Sequence, residues 1–156
     1  MRSRNQEDTV KPSLAAGLTF SFSYEVPENR TVPHVFPESE RFREMPSVFA
    51  TAFMVGLLEW ACIEAIQPHL DAGEQSVGTG IWVTHTAATP PGLTVTVDLT
   101  LTAVDGKRLT FAVRAHDGVE LIGEGQHERF VIDRERFVRK VEAKRAAAVG
   151  RPRSAS

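Results

Sequence analysis

One stretch of the chain, FATAFMVGLLEWACIEAI at residues 49–66, is apolar at nearly every position. It predicts a single long helix that runs from about Val48 to just before Pro68, since proline ends a helix. A helix that is apolar almost all round must be covered on most of its sides. The rest of the 156-residue chain therefore has to wrap around this one element.

Strands are predicted on both sides of the helix. LTFSFSYEV at residues 18–26 alternates apolar and polar side chains, which is typical of a half-buried strand. Four more strands follow the helix, the last three of them joined by Asp-Gly hairpin turns. They are predicted over residues 77–88, 93–104, 107–117 and 119–133. Gly123 and Gly125 indicate a bulge or a close backbone approach in the last strand.

The order of elements is strand, long connection, apolar helix and four consecutive antiparallel strands. It predicts an α+β hot-dog fold, in which an antiparallel sheet wraps around one long apolar helix. One helix and one sheet leave apolar surface uncovered, which predicts a homodimer. The connection carries four prolines between Pro27 and Pro46 and favours short helical turns in a lid or binding loop.

We expect one folded domain at residues 14–140 between two loose ends. Residues 1–13 are polar and are predicted to be flexible. Residues 134–148 are charged and either helical or irregular, and residues 141–156 are predicted to be a flexible basic tail.

Composition excludes several kinds of partner. A net charge of −2 argues against nucleic acid, because binding many phosphates requires a basic excess. The sequence shows neither a signal peptide nor an apolar run of about 18 residues, so we expect a cytoplasmic protein with no membrane partner. Cys62 is the only cysteine, which rules out an intrachain disulfide and favours a small core side chain.

The apolar helix contains a carboxylate, Glu59, which is costly to bury unless it is paired or functional. His85 lies on the apolar face of the next predicted strand, with Ile81, Val83 and Ala87. Each has a structural alternative: Glu59 as a snorkelling or ion-paired carboxylate on a narrow exposed strip, and His85 as a satisfied core histidine. Placed together, the two would reduce each other's cost and form an acid–base pair.

Thr51 lies at the start of the helix, where unpaired backbone N–H groups favour polarised oxygens. Its structural alternative is a hydroxyl that bonds to the backbone. Thr51 and Glu59 lie about 12 Å apart along the axis, so a substrate could lie between them. His116 and His127 lack repeated ligand spacing, and we expect no metal. Arg129 is predicted to pair with a surface acid or, less simply, to touch an anionic ligand.

Three segments carry a family resemblance: VFATAFMVGLLEWAC, VTHTAATPPGLTVTV and AHDGVELIGEGQHER. They closely resemble the bacterial fluoroacetyl-CoA thioesterases, a family of hot-dog enzymes, and the resemblance runs from about Leu18 to Val138. It implies a Thr–Glu–His catalytic set, which falls on Thr51, Glu59 and His85.

The resemblance also implies a set of substrate-binding positions. The backbone N–H of Gly78 would help to hold the thioester carbonyl, and Arg129 also matches the family. The family enzyme uses a lid phenylalanine over the fluorinated acyl group. Here Met45 stands at that position, while Phe42 nearby is retained. Because methionine is less rigid than phenylalanine, selectivity for fluoroacetyl over acetyl is left open.

The sequence therefore predicts a thioester hydrolase acting on a short acyl-CoA, most specifically fluoroacetyl-CoA, with CoA as part of the substrate and no cofactor. A broader short-chain acyl-CoA thioesterase fits the same residues. The rival from another class is a non-catalytic acyl-CoA-binding hot-dog protein. A hydratase is disfavoured, because a close Asp and His on the loop and helix are not evident.

Overall fold

A five-stranded antiparallel sheet lies against one long helix in the computed structural model, which describes residues 8–150. The strands are β1 (Thr19–Glu25), β2 (Glu74–Val83), β3 (Thr94–Asp105), β4 (Arg108–His116) and β5 (Leu121–Asp133). The helices are α1 (Glu40–Arg43), α2 (Thr51–Ile66) and α3 (Arg134–Val149). The predicted strand, connection, helix and four strands are all present.

The strands lie in the order β1-β3-β4-β5-β2, and every neighbouring pair is antiparallel. The β3–β4 turn contains Gly106 and the β4–β5 turn Gly118, with φ of 59° and 85°. A glycine adopts this left-handed conformation without the steric cost that a Cβ imposes. Both Asp-Gly hairpins predicted from the sequence are therefore confirmed. Strand β2 crosses to the far edge and pairs with β5, which leaves its other side unpaired within the chain.

The core lies between helix α2 and the inner face of the sheet. The helix contributes seven buried residues: Met54, Leu57, Leu58, Ala61, Cys62, Ala65 and Ile66. The central strands β3 and β4 alternate buried with more exposed positions, so that one row of side chains from each strand meets the helix. The sheet-on-helix arrangement confirms the α+β hot-dog fold.

The helix is not covered on all sides within one chain. Trp60 is 45% exposed and Ile63 is 37% exposed, although the Trp60 ring packs on Phe22 with centroids 4.7 Å apart. On edge strand β2, Ile81 is 38% exposed and Trp82 is 61% exposed. The apolar surface that the sequence predicted to remain uncovered is thus present on both the helix and the sheet edge.

Strand β2 ends at Val83, five residues before the predicted end at 88. The following segment still donates backbone hydrogen bonds to β5, from Thr84 to Glu124 and from Thr86 to Ile122. A Cβ at Gly123 would collide with the Thr84 carbonyl of this segment, and a Cβ at Gly125 would collide with the backbone at the end of β2. The predicted close approach is confirmed, and regular strand geometry ends here, before His85.

The proline-rich connection contains short helical turns, as predicted. Two 3-10 turns at Glu28–Arg30 and Val32–His34 precede α1. The Ser39 side chain caps α1 by accepting a hydrogen bond from the Phe42 amide at 3.3 Å. The segment ends against the first turn of α2.

The two chain ends differ in how far the structure describes them. Residues 1–7 and 151–156, parts of the ends predicted to be flexible, lie outside the described residues. Helix α3 continues to Val149, so the predicted domain boundary at residue 140 falls inside a helix. The Asp133 side chain caps this helix by accepting from the Arg136 amide at 2.9 Å. Within residues 8–150, no helix combines the length and apolarity needed to cross a bilayer.

Candidate active site

Glu59, the carboxylate on the apolar helix, forms an ion pair with Arg129. The Arg129 Nη1 lies 3.0 Å from Glu59 Oε1. The carboxylate side chain is 40% exposed, while the guanidinium side chain is only 3% exposed. The expected ion pair between Arg129 and an acid is therefore present: the acid, Glu59, is partly exposed, and the arginine is deeply buried.

Arg129 is held by three further contacts that satisfy a buried guanidinium. Its Nε donates to Ser76 Oγ at 2.8 Å, and its Nη2 donates to the Ser76 carbonyl at 2.8 Å. Nη1 also approaches His127 Nε2 at 3.2 Å. Unpaired, a buried cation would cost several kcal/mol, so this cage fixes the arginine and, through it, the Glu59 carboxylate.

His127 is a buried histidine with both ring nitrogens engaged. Because a guanidinium only donates, His127 Nε2 must accept from Arg129, and Nδ1 then carries the proton and donates to the Gly80 carbonyl at 2.7 Å. Burial lowers the pKa of His127, and the Arg129 charge lowers it further against the effect of the Gly80 bond. The imidazole is thus a neutral, fixed support for Arg129.

Gly78 lies directly beside the Glu59 carboxylate. A Cβ at Gly78 would stand 2.5 Å from Glu59 Oε1 and 3.5 Å from Arg129 Nη1. Strand β2 carries a bulge between Gly78 and Gly80 at this point. The missing side chain therefore makes room for the carboxylate, and the structure brings together three of the sequence-predicted positions, Glu59, Gly78 and Arg129.

A second polar pair joins Thr51 to His85. Thr51 Oγ1 and His85 Nδ1 are 2.7 Å apart. Thr51 is the first residue of α2, and Ala50 before it provides no side-chain cap for the helix amides. An open pocket of about 230 Å³ adjoins the pair and is lined in part by Val48, Phe49 and Ala87.

The His85 imidazole is partly buried. Burial lowers its pKa below the ordinary 6.5, and an interaction with the Ala87 backbone opposes this shift. The imidazole is therefore neutral at physiological pH and available to accept a proton.

The two polar groups remain separate within one chain. Thr51 and Glu59 stand about 12 Å apart along the helix axis. Among the described residues, neither a hydrogen bond nor an ion pair joins Glu59 to His85; their partners are Arg129 and Thr51. The interpretation of Glu59 and His85 as mutually compensating neighbours is thus wrong for a single chain, because the early end of β2 takes His85 to the start of the helix.

The predicted lid positions lie on the connection before α2. Phe42 is partly buried and packs on Phe36, with ring centroids 5.4 Å apart. Met45 is 50% exposed, and its amide donates to the Phe42 carbonyl at 3.1 Å. The structure places both side chains on one short turn but gives neither a contact with Glu59 or His85.

The remaining candidates have structural explanations. Cys62 is fully buried, and burial raises the pKa of its thiol to about 12, so it is a core side chain and not a nucleophile. His116 faces Asp98 at 3.3 Å on the exposed side of the sheet. Between residues 8 and 150, no group of three or more His, Cys, Asp or Glu side chains is arranged to hold a metal ion.

Sequence reasoning missed the supporting role of His127. Strand β5 buries His127, Arg129 and Val131 in alternation with more exposed residues. The period-2 pattern in QHERFV places the two polar residues on the same face as Val131, a typical core side chain. The charged residues beside His127 favoured a solvent-exposed interpretation, and the buried face was therefore missed.

The fold and this site define a class: hot-dog proteins of the thioesterase superfamily. A Thermus thermophilus member of that superfamily is 26% identical to this chain and superposes with a TM-score of 0.76, covering 88% of this chain and 99% of the other. Residues 28–135 match the fluoroacetyl-CoA-specific thioesterase family. The chain belongs to this family and is a thioester hydrolase, which confirms the resemblance seen in the sequence.

Two relatives within the family are similar along most of the chain. The fluoroacetyl-CoA thioesterase of Streptantibioticus cattleyicolor is 55% identical over 138 residues, which is 88% of this chain and 99% of that protein. A crystal structure of a mutant of the fluoroacetyl-CoA-specific thioesterase FlK, in complex with fluoroacetate and CoA, is 57% identical. It superposes with a TM-score of 0.78 and covers 80% of this chain and 99% of the other.

Gly78→Ala is expected to reduce thioester hydrolysis by roughly 10- to 100-fold, because small displacements of a catalytic group have effects of this size. The added methyl would displace the Glu59 carboxylate from its position against Arg129. The measurement is the rate of free-thiol release from acetyl-CoA or its fluorinated analogue.

Gly150→Ala is the matched control, since that glycine has φ of −79° and a Cβ there meets no atom closer than 3.8 Å. Wild-type hydrolysis by a folded Gly78→Ala protein would show that the close approach of Glu59 to this glycine is unimportant for activity.

Proposed function

We propose that this protein hydrolyses fluoroacetyl-CoA to fluoroacetate and CoA. The observation that carries the proposal is the Glu59–Arg129 pair beside Gly78, on a chain that also retains Thr51 and His85. Relatives 55–57% identical are named as fluoroacetyl-CoA thioesterases, and one of them was crystallised with fluoroacetate and CoA. Hydrolysis of this thioester would confer resistance to fluoroacetate.

Glu59 is the group we assign to attack on the thioester. Arg129 supplies a fixed positive charge at 3.0 Å, which holds the carboxylate in one position. The carboxylate either attacks the carbonyl carbon directly, forming an anhydride that water then hydrolyses, or takes a proton from the attacking water. The Gly78 amide binds the oxyanion that develops on the carbonyl oxygen.

His85 is the group we assign to proton transfer, and Thr51 orients it. The neutral imidazole first takes up a proton released by water. As the C–S bond breaks, its electron pair leaves on sulfur, and the imidazolium gives that proton to the thiolate. For a fluorinated acyl group, whose α-carbon is acidic, the same imidazole can remove an α-proton. The Thr51 hydroxyl, 2.7 Å from Nδ1, holds the ring in one orientation or turns toward the thioester.

A broader activity on short acyl-CoA thioesters is favoured by one observation. Met45, where the family carries a lid phenylalanine, is 50% exposed and flexible. A flexible thioether covers a fluoromethyl or a methyl group about equally well, which would weaken selectivity. A non-catalytic acyl-CoA-binding protein is disfavoured, because such a protein has no need for a carboxylate beside a buried arginine.

We further propose that the enzyme is a cytoplasmic homodimer. Strand β2 is a free edge with Ile81 and Trp82 exposed, and Trp60 and Ile63 leave an uncovered strip on the helix. A second copy pairing along this edge would cover Ile81 and Trp82, whereas Trp60 packs against β1 at the opposite edge of the sheet. The second copy would also supply a second Glu59 group and a second Thr51–His85 pair, which offers a way to complete a site that one chain leaves divided. The one thiol of the chain is unpaired, as expected in a reducing compartment.

Free-thiol release from fluoroacetyl-CoA and acetyl-CoA, measured side by side, tests the function. We expect turnover of the fluorinated substrate and a loss of roughly 10²- to 10⁴-fold in Glu59→Gln. Glu64→Gln is the matched control, since Glu64 is an exposed carboxylate on the same helix whose partner is the Trp60 indole. Similar rates on both substrates would establish the broader thioesterase. Thiol release from neither would support the binding protein and contradict hydrolysis.

The acid limb of kcat/KM is expected to have its midpoint below pH 6.5. Burial lowers the pKa of His85, so the imidazole stays neutral until the pH falls through that lowered value, and only then does activity decline. The measurement is a pH–rate profile of the wild-type enzyme and of Glu64→Gln. A midpoint at or above pH 7 would contradict a neutral, partly buried His85 as the proton carrier.

Sedimentation equilibrium is expected to give a mass of two chains, about twice 17.2 kDa. Trp82→Lys should shift the protein toward the monomer, because it places a charge at the exposed edge of β2. A wild-type protein that remains monomeric at micromolar concentrations would overturn the dimer.

A further inference from the structure

Thr89, on the segment that contains His85, forms a buried pair with Asp117. Thr89 is fully buried and Asp117 is 6% exposed. The Thr89 hydroxyl donates to Asp117 Oδ2 at 2.9 Å. Asp117 Oδ1 accepts from the amides of Val119 and Glu120, both at 3.0 Å. Three donors therefore saturate a carboxylate that has almost no contact with water.

Hydrogen bonding keeps this carboxylate ionised. Burial alone raises the pKa of Asp117, but the bonds from Glu120, Val119 and Thr89 outweigh burial and hold the pKa below its ordinary value. An anionic acceptor makes stronger hydrogen bonds than a neutral one. The Thr89 hydroxyl is thus fixed in direction as well as in position.

Thr89 also connects the two elements that supply the Thr51–His85 pair. Its carbonyl accepts from the Phe49 amide at 2.8 Å, and helix α2 begins two residues after Phe49. On its own segment, Thr89 follows His85 by four residues. The start of the helix and the end of the His85 segment therefore meet at one buried residue, whose side chain is bound to Asp117.

The other Asp-Gly hairpin of the sheet, a shorter turn, leaves its aspartate exposed. Asp105 precedes Gly106 in the β3–β4 turn, as Asp117 precedes Gly118 after β4. Asp105 is exposed, and its side chain has no hydrogen bond or ion pair with the described residues. Asp117 differs from Asp105 in two ways: its carboxylate accepts from amides of its own turn, and it accepts from the buried Thr89 hydroxyl.

We propose that Thr89 and Asp117 are positioning residues that hold the Thr51 hydroxyl and the His85 imidazole within hydrogen-bond distance. Neither side chain touches the reacting atoms; they act through the backbone at Phe49 and through the segment from His85 to Thr89. The inference rests on the proposed function for its effect on turnover, but the geometry it describes is measurable without substrate.

The first test removes only the hydroxyl. Thr89→Val keeps the shape of the side chain, and we expect kcat to fall roughly 10- to 100-fold with KM changed less than about threefold, as for a misplaced catalytic group. Thr89→Ser restores the hydroxyl and is expected to remain within about threefold of the wild-type kcat. A Thr89→Val enzyme with the wild-type kcat would overturn the proposal, as would a Thr89→Ser enzyme as impaired as Thr89→Val.

A matched pair of aspartate variants tests the other partner. Asp117→Ala is expected to lower kcat in the manner of Thr89→Val, while Asp105→Ala leaves it unchanged. If Asp117→Ala fails to fold, the two Thr89 variants still decide the question.

An NMR measurement separates this inference from the proposed function. The ¹⁵N shifts of the His85 ring report whether Nδ1 is engaged in a hydrogen bond. We expect them to change in Thr89→Val and to stay at wild-type values in Thr89→Ser and Asp105→Ala. Unchanged His85 shifts in Thr89→Val would overturn the positioning role whatever the substrate is. If the His85 shifts change in Thr89→Val but the wild-type protein releases no thiol, the positioning role stands and hydrolysis is rejected.

Discussion

The burial of Arg129 is the constraint that determines the arrangement of much of the site. Among residues 8–150, no other lysine or arginine is buried, and a guanidinium that is 3% exposed must find partners for its donors. Ser76 on β2, His127 on β5 and Glu59 on α2 supply them. The crossover that takes β2 to the far edge of the sheet is what brings these elements together. The ion pair therefore joins the sheet edge to the helix.

Much of the fold could be predicted from the sequence, because its signals are local. The apolar run specified the helix, period-2 alternation specified the strands, and Asp-Gly pairs specified two hairpins. The end of β2 could not be read in this way. His85 continues an alternating pattern, but regular strand geometry ends at the close passage over Gly123 and Gly125, and that passage involves residues about 40 positions away.

Similar reasoning explains which parts of the site were predictable. Glu59 and His85 were recognisable as costly residues in apolar surroundings, and the family resemblance selected Thr51 and Gly78. The Glu59–Arg129 pair was not recognisable, since the two residues lie 70 positions apart and the pattern of one strand does not show which element faces it. Glu59 and His85 have hydrogen-bond partners other than each other. Each buried donor or acceptor bonds to whichever complementary group the topology places next to it.

The burial of Cys62 has a chemical consequence for a protein that handles thioesters. Thiolates exchange with thioesters and take up the acyl group, and the rate depends on the fraction of thiolate and on access. The only cysteine of the chain lies in the second half of helix α2, fully buried, with the pKa of its thiol raised to about 12. It can neither reach an acyl-CoA nor ionise to compete with water. The thiol is thereby protected from taking up the acyl group of the substrate.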